Sequence, residues 1–259
     1  MKQPERIVGA IYDVDDTLLV SQPTENPLSN LHQVARLAAL HTIADKYDYC
    51  TQLRDVGSQK NFDSFAASPV HTIFGAFHTL LKNRGILAGE VDPMHPLILE
   101  LVALKNEEYG KLLPIHGRAI EGAGSFVRDF SKHHSINDFN AIASTAIMRD
   151  IKTFLRMTNL GDLFPDNRII DVGKVAQPKP HPEAFDRAFH SLGLPESARS
   201  QVVAFEDDPR GIASARAADL FVCGITTRYP REFLESLDEA PHLIADSYAE
   251  FRKHFGLTN

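Results

Sequence analysis

Asp13, Asp15 and Asp16 fall within four residues at the end of the apolar run that leads through Ala10, Ile11 and Tyr12. Like charges this close repel and raise one another's pKa values, so the cluster asks for a chemical reason. Residues two apart on an extended chain point to the same side, about 6–7 Å apart. Asp13 and Asp15 can therefore face one reacting group, one carboxylate attacking while the other trades protons. Asp16 alone reads as a turn residue that caps a following helix.

Three later segments offer partners. Ala143-Ser144-Thr145 closes a second apolar run and leads straight into a helical pattern. A hydroxyl and free backbone N–H groups at a helix start cradle phosphate, although the same residues fit a plain N-cap equally well. Lys179 lies between Pro178 and Pro180. The prolines restrict the backbone on both sides and hold a positive charge in place, where a solvated loop lysine is the plainer alternative. Val202 to Phe205 delivers the adjacent acids Glu206 and Asp207, and Asp208 before Pro209 has the pattern of an N-cap followed by proline at the first helical position. Oxygen-rich clusters of this kind hold Mg²⁺, which also pairs with substrate phosphate. A dication and a lysine would together let the carboxylates stay ionised side by side.

The elements that must position these residues are legible as alternation. Short β-rich runs occur at 6–14, 139–145, 167–172, 201–207 and 220–226, with helical patterns at 148–164, 181–194 and 208–220 between them. Continuous apolar strands alternating with helices predict a Rossmann-like α/β core, a parallel sheet covered on both faces, with its ligand at the carboxyl ends of the strands. From about Pro23 to Pro114 the periodicity is helical with no convincing strand, and prolines mark both joins, Pro23 and Pro27 on one side and Pro114 on the other. The expectation is a core of residues 1–21 and 115–259 and an α-helical inserted domain at 22–114.

Composition bounds the function. A net charge of -7 over 259 residues argues against broad nucleic-acid or anionic-membrane binding. Cys50 and Cys223 are the two cysteines and stand far apart, so a disulfide framework or a cysteine-rich zinc site is not expected. No apolar stretch approaches the roughly 18 residues of a membrane span, and no signal-peptide pattern develops before the first acids. A soluble, cytoplasmic protein is expected, monomeric or homodimeric.

The order D-V-D-D-T-L, A-S-T, K-P-H-P, F-E-D-D resembles the haloacid dehalogenase superfamily in its phosphatase-type branches. The inserted helical segment directly after the first motif is similar to the cap domain of the phosphoglycolate phosphatase and β-phosphoglucomutase-like group. The resemblance implies Asp13 as a nucleophile that forms an aspartyl-phosphate, and Asp15 as the acid that protonates the leaving oxygen and then activates water. It implies Mg²⁺ bound by the Asp13 carboxylate, the Asp15 backbone carbonyl and Asp207, with Glu206 directly or through water. Ser144 and the backbone around Thr145 would hold phosphoryl oxygens, and Lys179 would steady Asp13 and the transferring charge. Two departures stand out: Asp16 replaces the glycine common after the second Asp, and Val20-Ser21 replaces the acidic residue common after the first motif.

The segment Phe65 to Phe77 resembles the cap loop that reaches the active site in relatives, with Ser68 and His71 as the candidate contacts. Arg54 and Lys105 read as ordinary surface charges with a second anionic group as the alternative. The implied activity is Mg²⁺-dependent hydrolysis of a small phosphorylated metabolite. A β-phosphoglucomutase-like sugar phosphate mutase is the enzymatic alternative, set back because mutase relatives use a cap histidine soon after the first motif and His32 comes late. A dehalogenase is disfavoured by the presence of Asp15. A non-catalytic phospholigand-binding protein is the alternative from another class, and the intact motif set counts against it.

Overall fold

The computed structural model describes residues 2–22, 24, 26–68 and 72–257. The chain divides into two compact units, residues Met1–Val20 with Arg118–Asn259, and residues Ser21–Gly117.

Among the described residues the first unit is built on eight strands: β1 (Gly9–Tyr12), β2 (Leu19–Val20), β3 (Arg118–Ala119), β4 (Asn140–Ala143), β5 (Ile169–Ile170), β6 (Val202–Glu206), β7 (Phe221–Ile225) and β8 (Leu243–Ala245). Six of them form one sheet in the order β5-β4-β1-β6-β7-β8, and every neighbouring pair in it is parallel. β1 lies at the centre, with Tyr12 opposite Ile142 on one side and Phe205 on the other. The expected α/β core with a parallel sheet is therefore present. β2 and β3 form a separate antiparallel pair, Leu19 with Ala119 and Val20 with Arg118. β8 was not expected from the sequence, because Leu243-Ile244-Ala245 is only three residues long.

The strands read as unbroken apolar runs because both faces are covered. Side chains alternate between faces with period two. Ile11, Ala141, Ala143, Ala204 and Val222 pack in one core cluster with Phe185 and Phe189 of a helix at Glu183–Ser191 and Ile212 and Ala215 of a helix at Pro209–Ala217. Tyr12 and Phe205 take the alternate positions and stack on one another at 4.9 Å. Phe205 meets Phe126, Phe130 and Phe251 at 5.3–5.4 Å, from helices at Ala123–His133 and Tyr248–His254. All are fully buried, and each ring of this size contributes on the order of 2–3 kcal/mol by leaving water.

The second unit is helical among the described residues. Among the described residues the α-helices are, in chain order, α1 (Leu31–Lys46), α2 (Ser58–Ala66), α3 (Ile73–Asn83), α4 (Pro96–His116), α5 (Ala123–His133), α6 (Met148–Met157), α7 (Glu183–Ser191), α8 (Pro209–Ala217), α9 (Arg231–Glu235) and α10 (Tyr248–His254). The first four belong to the second unit, and α1, α3 and α4 close its core through Leu40, Ile43, Phe77, Leu81, Ile98 and Leu101. Caps set their starts: Asn30 accepts from the N–H groups of His32 and Gln33, and Thr72 from Gly75. Pro114 does not end α4, which runs on to His116. A proline in the last turn removes one late hydrogen bond and leaves most of the ladder intact.

Candidate active site

The carboxyl ends of the central strands collect the charged residues. β1 ends one residue before Asp13, whose N–H donates to the Phe205 carbonyl at 3.0 Å and so ties it to the neighbouring strand. The chain then turns tightly. The N–H groups of Leu18 and Leu19 both donate to the Val14 carbonyl, and Asp16 N–H donates to the Leu19 carbonyl at 2.7 Å. Asp16 sits at φ 57°, in the left-handed region that aspartate tolerates better than most residues. No helix follows, so the expected capping role of Asp16 is wrong. The backbone instead folds back into β2, and the Thr227 hydroxyl donates to the Asp16 carbonyl.

Lys179 crosses to this edge from the loop before α7. Its Nζ donates to Asp13 Oδ1 at 2.7 Å and to Glu206 Oε1 at 2.5 Å, and the side chain is buried. The solvated-loop alternative fails for this lysine. The loop itself is fastened at two points. Glu183 accepts from the N–H groups of Ala176 and Gln177, and the Ser214 hydroxyl donates to the His181 carbonyl at 2.6 Å.

Glu206 is the hinge of the polar network. While Oε1 accepts from Lys179, Oε2 accepts from the backbone N–H groups of Asp207 and Asp208, each at 2.9 Å. It fits because α8 carries Gly211 at the point of contact: a Cβ there would overlap the Glu206 carboxyl group. Asp208 caps α8 as expected, accepting from Arg210 N–H at 2.9 Å with Pro209 at the first helical position.

Asp207 Oδ1 accepts from the Thr17 hydroxyl at 2.9 Å. The Thr17 carbonyl in turn accepts from the buried Tyr248 hydroxyl at 2.7 Å. Asp207 Oδ2 is sealed from solvent and has no hydrogen-bond partner. A buried unpaired carboxylate oxygen costs free energy unless something fills the position. Asp13, Glu206 and Asp207 offer one oxygen each within 4.8 Å of one another. Three buried acids against one lysine leave a negative excess, and the donors are all hard oxygens. The set fits a divalent cation such as Mg²⁺.

Electrostatics agree with that reading. Burial pushes the Asp13 carboxyl up, Lys179 opposes the shift, and Glu206 and Asp15 add to it. Asp207 is also pushed up, by burial first and then by the charges of Glu206, Asp13, Asp16 and Asp208. Burial alone would pull Lys179 down, but the charges of Asp13 and Glu206 and the hydrogen bonds to them more than offset it and lift its pKa.

Parallel pairing of β4 with β1 sets Ile142 beside Tyr12, so Ser144 leaves the same edge of the sheet. Ser144 is buried and Thr145 exposed. The expected direct passage into a helix is not found. The Ser144 hydroxyl accepts from Ala146 N–H at 3.1 Å within a short turn, and α6 begins only at Met148. Its capping group is Asp171, from the end of β5, which accepts from Met148 N–H at 3.1 Å. Asp15 is half-buried beside the turn.

In the helical unit, Ser68 is buried just beyond α2, and His71 lies outside the described residues. Arg54 is a surface residue paired with Asp45 at 2.9 Å, as expected. Lys105 is not a surface charge: it is buried, 3.0 Å from His32 Nδ1 and over the Tyr109 ring. Sequence reasoning also passed over Thr17, Gly211 and Tyr248. Thr17 stood inside the quoted D-V-D-D-T-L motif and Gly211 inside the helical pattern at 208–220, whereas Tyr248 carried no local signal.

Comparison with known proteins bears on this geometry. Over 237 residues the chain is 40% identical to glycerol-1-phosphate phosphohydrolase 2 of Saccharomyces cerevisiae, covering 89% of this chain and 79% of that one. Over 225 residues it is 28% identical to protein CbbY of Rhodobacter capsulatus, covering 85% and 86%. A haloacid dehalogenase family IA, variant 3 hydrolase from Entamoeba histolytica shares the fold with a TM-score of 0.72 at 18% identity, over 94% of this chain and 95% of that one. The model of haloacid dehalogenase-like hydrolases matches residues 7–219, a span that takes in Asp13, Ser144, Lys179, Glu206 and Asp207. The chain belongs to the haloacid dehalogenase-like hydrolase family.

Proposed function

We propose that the protein is a Mg²⁺-dependent phosphomonoester hydrolase acting on a small phosphorylated metabolite through an aspartyl-phosphate. The observation that carries this reading is the buried Lys179 bridging Asp13 and Glu206 beside an Asp207 oxygen that has no partner. The names of two relatives, glycerol-1-phosphate phosphohydrolase 2 and validoxylamine A 7'-phosphate phosphatase, support the substrate class.

Asp13 attacks phosphorus, and the bond to the leaving oxygen breaks as Asp15 gives that oxygen a proton. Asp15 then takes a proton from water, which attacks the same phosphorus. Inorganic phosphate leaves and the Asp13 carboxylate is restored. Lys179 orients Asp13 and offsets the charge of the transferring group. Ser144 and the backbone around Thr145 hold phosphoryl oxygens. Bound Mg²⁺, held by the Asp13 carboxylate, the Asp15 carbonyl and Asp207, with Glu206 directly or through water, would supply the remaining positive charge. The helical unit serves as the cap in this reading, with Ser68 and His71 as its candidate substrate residues. The protein works in the cytoplasm as a monomer or homodimer.

One observation favours a mutase as the second reading. His32 stands at the second position of α1, beside Lys105 and stacked on Tyr109 at 4.1 Å. Mutase relatives use a cap histidine soon after the first motif, and His32 lies in the first turn of the first α-helix described after that motif in this chain. Turnover of a panel of phosphorylated metabolites with Mg²⁺ in ¹⁸O-water separates the readings. Hydrolysis gives labelled inorganic phosphate, one for one with the alcohol. An isomeric phosphate without label makes the mutase reading the better one, and failure of the whole panel favours a phospholigand-binding protein.

A further inference from the structure

Arg36, in the second turn of α1, is only 5% exposed. Buried arginines ordinarily face a carboxylate, because an uncompensated buried charge is costly. Among the described residues Arg36 has none. Its Nε donates to Asn61 Oδ1 at 2.7 Å. Nη2 donates to Gln33 Oε1 at 3.2 Å and to the Asn61 carbonyl at 3.3 Å. The guanidinium lies over the Phe65 ring, 4.8 Å from its centroid.

Every acceptor is neutral, and the two amides are themselves fixed. Asn61 Nδ2 donates to the Gln33 carbonyl at 3.0 Å, and Gln33 Nε2 to the Ser58 carbonyl at 3.3 Å. Those bonds turn both amide oxygens toward the guanidinium and both amide NH₂ groups away from it. A guanidinium has five N–H donors. Three are used here, by Asn61 twice and by Gln33 once. The two on Nη1 have no partner among the described residues, and Nη1 is not among the atoms sealed from solvent. Burial lowers the Arg36 pKa to about 10, so the group stays charged at neutral pH.

We propose that the helical unit contains an oxyanion-binding site centred on Arg36 Nη1, which takes the carboxylate or phosphate group of a small metabolite. The amide cradle and the Phe65 ring hold the cation in place without neutralising it, which leaves its charge for a ligand. The site is built from residues of the helical unit alone, and its test reads binding alone, so it survives or fails independently of the hydrolase reading.

The test is ¹⁵N–¹H NMR of the full chain, following the Arg36 Nε–H resonance, assigned by its loss in Arg36→Lys. Inorganic phosphate and malonate are titrated separately, against sodium chloride at equal ionic strength. The proposal expects a saturable shift of that resonance below about 10 mM of one or both anions, well above a millimolar Kd. Response to phosphate alone identifies a phosphate site, and response to malonate, with or without phosphate, a site that takes carboxylates. In Arg36→Lys, calorimetry should find affinity for the responding anion at this site weakened at least tenfold; an unchanged affinity in a folded variant overturns the proposal. Should that variant not fold, the resonance is assigned in the wild type through its correlations to the Arg36 side chain and backbone, and the wild-type titration decides alone. A resonance that stays still with both anions, or that drifts equally with chloride, overturns the site.

Discussion

Glu206 and Gly211 compete for one volume. The glutamate carboxyl group lies where a Cβ on residue 211 would be, and from there it accepts from Lys179 and from two backbone N–H groups. The glycine is thus a requirement of the charged network and not of the helix that carries it, since α8 would be better formed with alanine.

Gly211→Ala should therefore act opposite to helix propensity. Displacing Glu206 breaks a buried ion pair, at a cost of about 3 kcal/mol in stability, and frees Lys179 from one of its two anchors. Urea unfolding and steady-state kinetics check it: the midpoint and kcat should both fall, kcat by at least about tenfold. A variant as stable and active as the wild type would remove Glu206 from the account.

Lys179→Met leaves Asp13 and Glu206 buried without their cation. Turnover should fall by about 10²–10³. Lys179→Arg should not restore it, because a planar guanidinium cannot occupy the point between Asp13 Oδ1 and Glu206 Oε1 as an ammonium does. Recovery of most of the activity in Lys179→Arg would show that only a diffuse positive charge is needed.

Chelation should abolish activity and Mg²⁺ restore it, with Ca²⁺ a poor substitute because its longer, looser coordination disturbs the in-line geometry. Asp207→Ala removes the oxygen that has no other partner and should raise the Mg²⁺ requirement or eliminate turnover. Full activity in excess chelator would contradict the proposed metal site.

His134 offers a test of pH dependence away from that centre. Burial, with His133 beside it, lowers its pKa from 6.5 to about 4, and its Nε2 is buried without a partner. The unfolded chain then binds the proton more readily than the folded one. The stability this group contributes is fully present above pH 6.5 and is lost as pH falls through the interval toward about 4. His134→Phe, packed beside Phe130 and Phe255, should flatten the fall of the urea midpoint over that interval. An unchanged slope would place the acid sensitivity elsewhere.

The parallel sheet was legible because strands buried on both faces read as unbroken apolar runs, and its acids because each stands at a strand end. Local signals reached Asp13, Lys179 and the Asp208 cap, where a few adjacent residues fix the geometry. They failed where a distant partner decides it. Nothing near Thr17 announces that Asp207 accepts its hydrogen bond from 190 positions away. The sequence places Ser144 at the start of a helix, but that helix's capping group, Asp171, arrives from another strand. Asp16 reads as a helix cap because capping and turn residues are the same types, and the pairing of β2 with β3, which settles the matter, joins residues about 100 apart. Lys105 reads as a surface charge in the sequence because a lysine carries no mark of burial until its surroundings are known.

The central claim is that Asp13 carries the phosphoryl group, and turnover of Asp13→Asn at saturating Mg²⁺ on the best substrate of the panel tests it most directly. The substitution keeps the shape of the side chain and removes its nucleophilicity. The account predicts a loss of at least about 10³ in kcat with an intact fold by circular dichroism. Near-normal turnover by Asp13→Asn would contradict it.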